Sequence, residues 1–312
     1  MKKLIGLLAL SMLTTGTAAM AAPAASPIRP PITAVSHIGL YAADPAKSEA
    51  FYVHDLGAVK GPDPENPAGA RYYFSATQFV EILPLPDGAP SKNRLDHVAY
   101  VTPKAEAMRR YLAASGVAVP DHVSEGIDHS RWFDVIDPEG HKIEFVQPPL
   151  HPQPIPPNPL SSHIIHVGFI IHNRALENGF FLKILGFKPY WYGGMTDDKA
   201  SWISLQVPNG HDWLEYMVVG TPDGHGIPDE MSESVAGILD HFSLGIRNAE
   251  TAYTLLWNGD RLGGQKEVPK IGRDAKWQLN LFDPDGTRAE LMEFHAIGKP
   301  CCSPFTATDP LK

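Results

Sequence analysis

Four histidines in this chain are each followed, 44 to 49 residues later, by a glutamate, and all eight lie in short apolar stretches. The pairs are His37 with Glu81, His97 with Glu144, His166 with Glu215, and His241 with Glu290. Imidazole and carboxylate together suit a borderline divalent metal such as Zn, Ni, Mn or Fe(II), and a pairing kept through four copies reads as metal chemistry. A single strand histidine is ordinarily a hydrogen-bonded structural residue, and the repetition with a carboxylate reverses that reading. An unpaired carboxylate is costly to bury in an apolar strand, so each glutamate needs a cation, a partner charge or solvent beside it.

The elements around these residues repeat as well. Strand side chains alternate between faces, so His37 shares a face with Val35 and Gly39, and His166 with Ile164 and Gly168. Ala99 and Ser243 stand two residues beyond His97 and His241. A small residue beside each histidine leaves room for the ring to reach a metal. Asp44-Pro45 caps a helix ending in Phe51-Tyr52-Val53-His54-Asp55-Leu56-Gly57, and Asn173 opens one ending in Phe180-Phe181-Leu182-Lys183-Ile184-Leu185-Gly186. The second unit of each half begins Leu95-Asp96-His97 or Leu239-Asp240-His241. It closes on the turn Asp137-Pro138-Glu139-Gly140 or Asp283-Pro284-Asp285-Gly286, with the glutamate seven residues past the first Asp. The sequence therefore predicts four βαβββ units of roughly 60 residues each.

Between the halves, Gln147 to Ser162 carries seven prolines and reads as a stiff extended connector. Lys2 and Lys3 precede an apolar run, Leu4 to Leu13, and Ala19-Met20-Ala21 has the small-x-small pattern of a cleavage site. The expected organisation is a signal peptide over 1–21, a leader segment over 22–31, one domain over 32–149, a linker over 150–162, a second domain over 163–296 and a tail over 297–312. Export is the expectation, with the periplasm as the simplest destination. Loss of the two leader lysines takes the formal charge from −9 to −11, which argues against nucleic acid or an anionic membrane as partner. Cys301 and Cys302, the only cysteines, exclude a disulfide framework. They could form a vicinal disulfide, bridge two chains in a homodimer, or lie idle in a surface tail.

His in the first strand, the aromatic-aromatic-x-x-x-Leu-Gly helix end, the Asp-Pro-x-Gly-x-x-x-Glu close and the pairing of units resemble the vicinal oxygen chelate superfamily. That superfamily includes glyoxalase I, extradiol ring-cleaving dioxygenases, epimerases and drug-sequestering proteins. The resemblance covers residues 32–149 and 163–296. It implies an α+β fold with four βαβββ modules paired into two cup-shaped half-barrel domains. It also implies that His37, Glu81, His97 and Glu144 converge in one cup, and His166, Glu215, His241 and Glu290 in the other. Each set would hold a divalent ion with positions left open for a small substrate that chelates through its oxygens.

Because each half matches the His/Glu/His/Glu ligand order of bacterial glyoxalase I, the first expectation is an isomerase, lyase or epimerase, with Glu144 or Glu290 as base and Glu81 or Glu215 as alternatives. The C-terminal half has the more regular spacing, 49 residues in both units. A glutathione adduct is not the expected substrate. An exported protein meets little of that thiol, and Tyr41-Ala42-Ala43-Asp44 stands where glyoxalase I commonly has an arginine. The second expectation is an extradiol-type dioxygenase using His166, His241 and Glu290 as a facial triad. His129 lies where such enzymes place an acid-base histidine, but Asp134 and Asn280 replace the companion tyrosine. The third is a metal-free small-molecule binding protein. Trp132 and Trp277 are read as matching core positions, with stacking on a substrate second, and Arg131 and Lys276 before them as solvated surface charges, with anion contacts the minority reading. The remaining histidines, His54, His122, His141, His151, His163, His172, His211, His225 and His295, show no repeat and are read as surface or outer residues.

Overall fold

The computed structural model describes residues 27–88, 94–194, 196–198, 200–220 and 237–310. The signal-peptide reading of residues 1–21, part of the leader segment, and His225 lie outside them. Each half repeats one order of elements. In the first, β1 (Ala34–Ala42) leads into α1 (Pro45–Glu49), then β2 (Val59–Pro62), β3 (Ala70–Tyr73) and β4 (Phe79–Pro84). The companion module runs β5 (Leu95–Val101), α2 (Ala105–Ala114), β6 (Ser124–Glu125), β7 (Arg131–Ile136) and β8 (Lys142–Gln147). The second half repeats this with β9 (Ile164–Ile171), α3 (Arg174–Asn178), β10 (Lys188–Gly193), β11 (Trp202–Gln206) and β12 (Trp213–Val218). Its last module contains β13 (His241–Ile246), α4 (Ala249–Asn258), β14 (Lys270–Ile271), β15 (Trp277–Phe282) and β16 (Arg288–Glu293).

The helix ends follow from their sequences. The Asp44 side chain accepts from Lys47 N, and that of Asn173 from Ala175 N and Leu176 N, which satisfies amides that a helix start leaves orphaned. Both helices then widen into a π turn, over Ala50–Asp55 and Gly179–Ile184. The extra residue per turn buries both consecutive rings, Phe51 with Tyr52 and Phe180 with Phe181. Gly57 and Gly186, at φ 73° and 74°, take the left-handed conformation that ends each helix.

Two eight-stranded sheets result, ordered β2-β3-β4-β1-β5-β8-β7-β6 and β10-β11-β12-β9-β13-β16-β15-β14. Each pairs two βαβββ modules across an antiparallel junction, β1 with β5 and β9 with β13, and curls into a half-barrel. This is the α+β architecture that the repeat predicts. One face of each central strand supplies a core shared by the halves. From the first sheet come Ile38, Leu40, Val98, Tyr100, Ile143 and Phe145. Rings cross the boundary, with Phe242 6.3 Å from Tyr52 and 6.2 Å from Phe74, and Tyr100 5.2 Å from Phe187. Among the described residues no helix is long and apolar enough to cross a membrane.

The halves lock together at the two Asp-Pro turns, and there the repeat breaks. Tyr52 OH donates to Asp283 Oδ2 at 3.1 Å. At the equivalent boundary Phe181 replaces the tyrosine, and the fully buried Glu177 faces Asp137 and His141 instead. Burial, followed by the negative charge of Asp137, pushes the Glu177 carboxyl up to about 9. It therefore keeps its proton at neutral pH. The unfolded chain releases that proton near pH 4.5, so stability falls as pH rises through the window from there to about 9. Glu177→Gln should remove this contribution. Urea unfolding at pH 6 and pH 9 is expected to show the variant losing less stability than the parent, by up to about 1.4 kcal/mol per pH unit; parallel pH slopes would count against a protonated Glu177.

Candidate metal centre

Strand register decides which side chains meet. Gly39 in β1 pairs with both Glu81 in β4 and His97 in β5, so the order across the sheet is Glu81, Gly39, His97. One row away, Ala99 pairs with both His37 and Glu144, giving His37, Ala99, Glu144. Directly opposed residues project to the same face, here the concave one. The second sheet repeats both rows as Glu215, Gly168, His241 and as His166, Ser243, Glu290.

The small residues are spacers over which the rings lie. A Cβ on Gly39 would come 2.3 Å from His97 Cε1, and one on Gly168 would come 2.2 Å from His241 Cε1. Gly39→Ala and Gly168→Ala must therefore displace the imidazole, an overpacking that typically costs about 1–3 kcal/mol. Each is expected to weaken divalent-ion binding in its own cup at least ten-fold on titration and to leave the other cup unchanged.

All eight predicted residues are brought into two clusters. In the first, His37 Nε2 and His97 Nε2 are 2.8 Å apart, with Glu144 Oε1 3.6 Å from the former and Glu81 Oε2 3.8 Å from the latter. In the second, His166 Nε2 and His241 Nε2 are 3.1 Å apart, with Glu290 Oε2 3.3 Å from the former and Glu215 Oε2 3.4 Å from the latter. The tightest groupings are the triads His37, Glu81, His97 and His166, His241, Glu290. Ring nitrogens turned on one point, with carboxylate oxygens around them, are the donor set that a divalent cation needs.

Three of the four histidines fix their other nitrogen. His97 Nδ1 lies 2.7 Å from Asp96 Oδ2, His37 Nδ1 lies 3.1 Å from Ser36 Oγ, and His241 Nδ1 lies 2.8 Å from the Leu239 carbonyl. Such contacts orient a ligating imidazole and raise its basicity. Asp96 is itself held by Tyr41 OH and by Lys142 Nζ, the latter at 2.6 Å. The Leu-Asp-His repeat marked this position without revealing its role. In the second cup the equivalent Asp240 turns away to accept from Ile170 N at 3.2 Å.

Electrostatically the cups differ. In the first, burial lifts Glu81 to about 8, and burial with the neighbouring charges of Glu65 and Asp134 lifts Glu144 well above the usual carboxylate range. Burial and the nearby His97 and Arg71 hold His37 well below its ordinary value. In the second, burial pushes Glu290 upward, but Arg288 and His166 overcome it and bring the carboxyl down to about 2. Arg71 and Glu65 were not anticipated from sequence. Arg71 stands directly opposite Glu81, with Nε 3.5 Å from Glu81 Oε1 and 3.3 Å from Asp63 Oδ1, and it also pairs with Glu65. The available signal was a charge at the inward parity of an apolar strand.

Several expectations need correction. Trp132 pairs with Val146 on the concave face, but Gln278 rather than Trp277 occupies the equivalent place opposite Met292. Trp277, one residue out of phase, packs against the shared core; with a period of two, a one-residue slip changes the face. Lys276 is fully buried and no solvated charge, whereas Arg131 does reach a partly exposed partner, Glu125, at 3.6 Å. His129 is exposed, with φ 64°, at the mouth of the first cup. Cys301 and Cys302 form a vicinal disulfide, which leaves no thiol to bridge a second chain.

A cavity of about 830 Å³ opens on the concave side of the first sheet. Its walls include Arg71, Tyr73, Phe79, Val146 and the proline-rich stretch from Pro148 to Ile155. Phe79 stacks on His37 at 4.2 Å, so the cavity floor is one ring from the cluster.

Two paired-module half-barrels each gather imidazoles and carboxylates on the concave face, a donor set that suits a divalent metal. Residues 34–145 match the Glyoxalase/Bleomycin resistance protein/Dioxygenase superfamily model. That match lies within the first half of the chain, and the second half repeats its strand order. Among solved structures it resembles the Mn(II)-bound glyoxalase from Novosphingobium aromaticivorans, at 16% identity and a TM-score of 0.62 over 85% of this chain and 83% of that one. The 2,3-dioxygenase LapB from a Pseudomonas species is similar at 17% identity and a TM-score of 0.58, over 91% and 98% of the two chains. Homoprotocatechuate 2,3-dioxygenase from Brevibacterium fuscum, in complex with 3,4-dihydroxyphenylacetate, is similar at 16% identity and a TM-score of 0.61, over 90% and 86%. No curated protein matches the chain in sequence.

Proposed function

We propose that the protein is a divalent-metal-dependent enzyme of the glyoxalase-like kind, an isomerase, lyase or epimerase, and that its first cup is the working site. One observation carries this reading: two histidines and two glutamates converge on the concave face beneath an open cavity. His37, His97, Glu81 and Glu144 are the proposed ligands. The donor set fits Zn, Ni, Mn or Fe(II). When bound, such an ion supplies Lewis acidity to two adjacent substrate oxygens.

The residues then divide the work. Arg71 tethers Glu81, whereas among the described residues Glu144 has no cationic side chain bridged to it except the imidazole of His37. Glu144 Oε1, buried and without a hydrogen-bond partner, is therefore the proposed base; a cation held beside it would favour the ionised carboxylate against its burial, so that it could take the proton from the carbon next to a carbonyl. Asp96 holds His97 in place throughout. Tyr73, Phe79, Val146 and the prolines exclude water and present an apolar wall, which suits a small substrate with an apolar body and vicinal oxygens. The regular spacing in the second half gave it no advantage in access, because the chain beyond β16 crosses its cup, with Cys301 N bonded to the Arg273 carbonyl near one edge and Thr306 N to the Tyr190 carbonyl of β10 at the other.

Export to the periplasm belongs to the same proposal and rests on the N-terminal sequence pattern. The extradiol alternative is supported by the His166, His241, Glu290 triad and opposed by Asp134 and Asn280, which lie opposite Glu144 and Glu290 where a tyrosine was sought. Elemental analysis of purified protein, followed by assays with α-hydroxycarbonyl compounds and with catechols under oxygen monitoring, tests the reading. A stoichiometric divalent ion and isomerisation without oxygen uptake are expected. Absence of retained metal would turn the assignment to a binding protein, and oxygen uptake with catechols to a dioxygenase.

A further inference from the structure

The second cup is covered by its own chain. Beyond β16, Ile297 N and Cys301 N donate to the carbonyls of Ala275 and Arg273 at 2.9 Å each, next to one edge of the curled sheet. Thr306 N then donates to the carbonyl of Tyr190 in the opposite edge strand, β10, at 2.8 Å. The tail thus bridges the open side of the half-barrel. Gln206 Nε2, on the concave face, adds a bond to the Thr308 carbonyl at 2.6 Å.

Two tail side chains reach into the cup. Phe305 packs 5.0 Å from Tyr190 and 6.4 Å from Trp191. Asp309 Oδ1 accepts from Lys276 Nζ at 2.9 Å and from Tyr190 OH, while Oδ2 lies 3.0 Å from His295 Nδ1. Lys276 is fully buried, and its ammonium sits 5.0 Å, 5.1 Å and 5.5 Å from the ring centres of Phe305, Trp213 and Tyr190. Trp213 in turn stacks on His166 at 4.5 Å. A buried ammonium needs an anion. Among the described residues, the carboxylate hydrogen-bonded to Lys276 Nζ comes from the tail rather than from the sheet.

The tail therefore presents an aromatic ring and a carboxylate to an aromatic box built around a cation. We propose that the second cup is a binding site for small aromatic carboxylates, and that Phe305 and Asp309 occupy it as an internal stand-in for that ligand. In the first cup, Ser130 holds the position of Lys276, each being seven residues before its Asp-Pro turn, and the corresponding end is the open cavity. The cups thus differ in selectivity: the second requires an anion and the first does not. A tethered competitor lowers the apparent affinity of a free ligand in proportion to the fraction of chains with the tail seated.

The test uses the full chain carrying Phe305→Ala with Asp309→Asn, titrated calorimetrically with 3-phenylpropanoate and with the neutral 3-phenylpropanamide. The acid is expected to bind once per chain and at least ten-fold more tightly than to the parent protein. The amide should not gain, and adding Lys276→Met should abolish the gain. No tightening in a double variant that still unfolds cooperatively would overturn the proposal, as would equal binding of acid and amide. The amide control needs no change at position 276, so the charge requirement is decided even if Lys276→Met does not fold. Binding is read rather than turnover, so the outcome stands apart from whether the first cup catalyses.

Discussion

Glu144→Gln is expected to lower turnover by about 10²–10⁴-fold, the usual worth of a positioned general base, while the protein keeps its fold and its divalent ion. The physical reason lies in the row His37, Ala99, Glu144. Gln is nearly isosteric, and His37, His97 and Glu81 remain to hold the ion, but an amide cannot accept the substrate proton. The loss should fall on kcat, since the apolar walls proposed to hold the substrate body are untouched. Glu290→Gln, in the cup covered by the tail, should leave turnover within about two-fold of the parent, a difference of under ~0.5 kcal/mol in barrier. His54→Ala is the surface control, because that ring is exposed and, among the described residues, pairs with its neighbour Asp55 alone. Steady-state kinetics on the three variants decide the matter. Equal loss from Glu144→Gln and Glu290→Gln would mean both cups work, and loss from Glu290→Gln alone would move the chemistry to the second domain.

The second large effect concerns stability. An ion bound only by the folded chain contributes about 2.7 kcal/mol at a hundred times its dissociation constant. Chelation of the purified protein should therefore lower the thermal midpoint, and added metal should restore it. His37→Ala removes one of two nitrogens only 2.8 Å apart at the centre of the first cluster. It is expected to abolish the part of the metal-dependent rise that belongs to the first cup and to leave the part due to His166 and His241. Differential scanning fluorimetry with and without metal reads this. A metal-dependent rise unchanged in His37→Ala would place the ion elsewhere.

The reach of the sequence can be argued residue by residue. Four His–Glu pairs, two aromatic-aromatic-x-x-x-Leu-Gly helix ends and two Asp-Pro turns were legible because they are local patterns with a fixed period. Strand alternation carried the inference to one face for His37 with Gly39 and for His166 with Gly168. The same alternation misled at Trp277, where aligning tryptophans instead of counting back from Asp283 shifted the residue by one and reversed its face. Lys276 looked like a surface charge because its neighbours in sequence do not include Asp309, 33 residues away, which reaches it only across the cup.

By itself, then, the sequence determined the modules, the parity of their strands and the identity of the eight converging side chains, since each depends on spacing within about 60 residues. Only the tertiary structure decided that Gly39 and Gly168 carry the rings of His97 and His241, that Arg71 restrains Glu81, and that one cup lies open while the other is filled by its own tail. Those facts depend on which strands lie side by side and on where distant segments return. Both are fixed by packing the two sheets around one core, which no local pattern encodes.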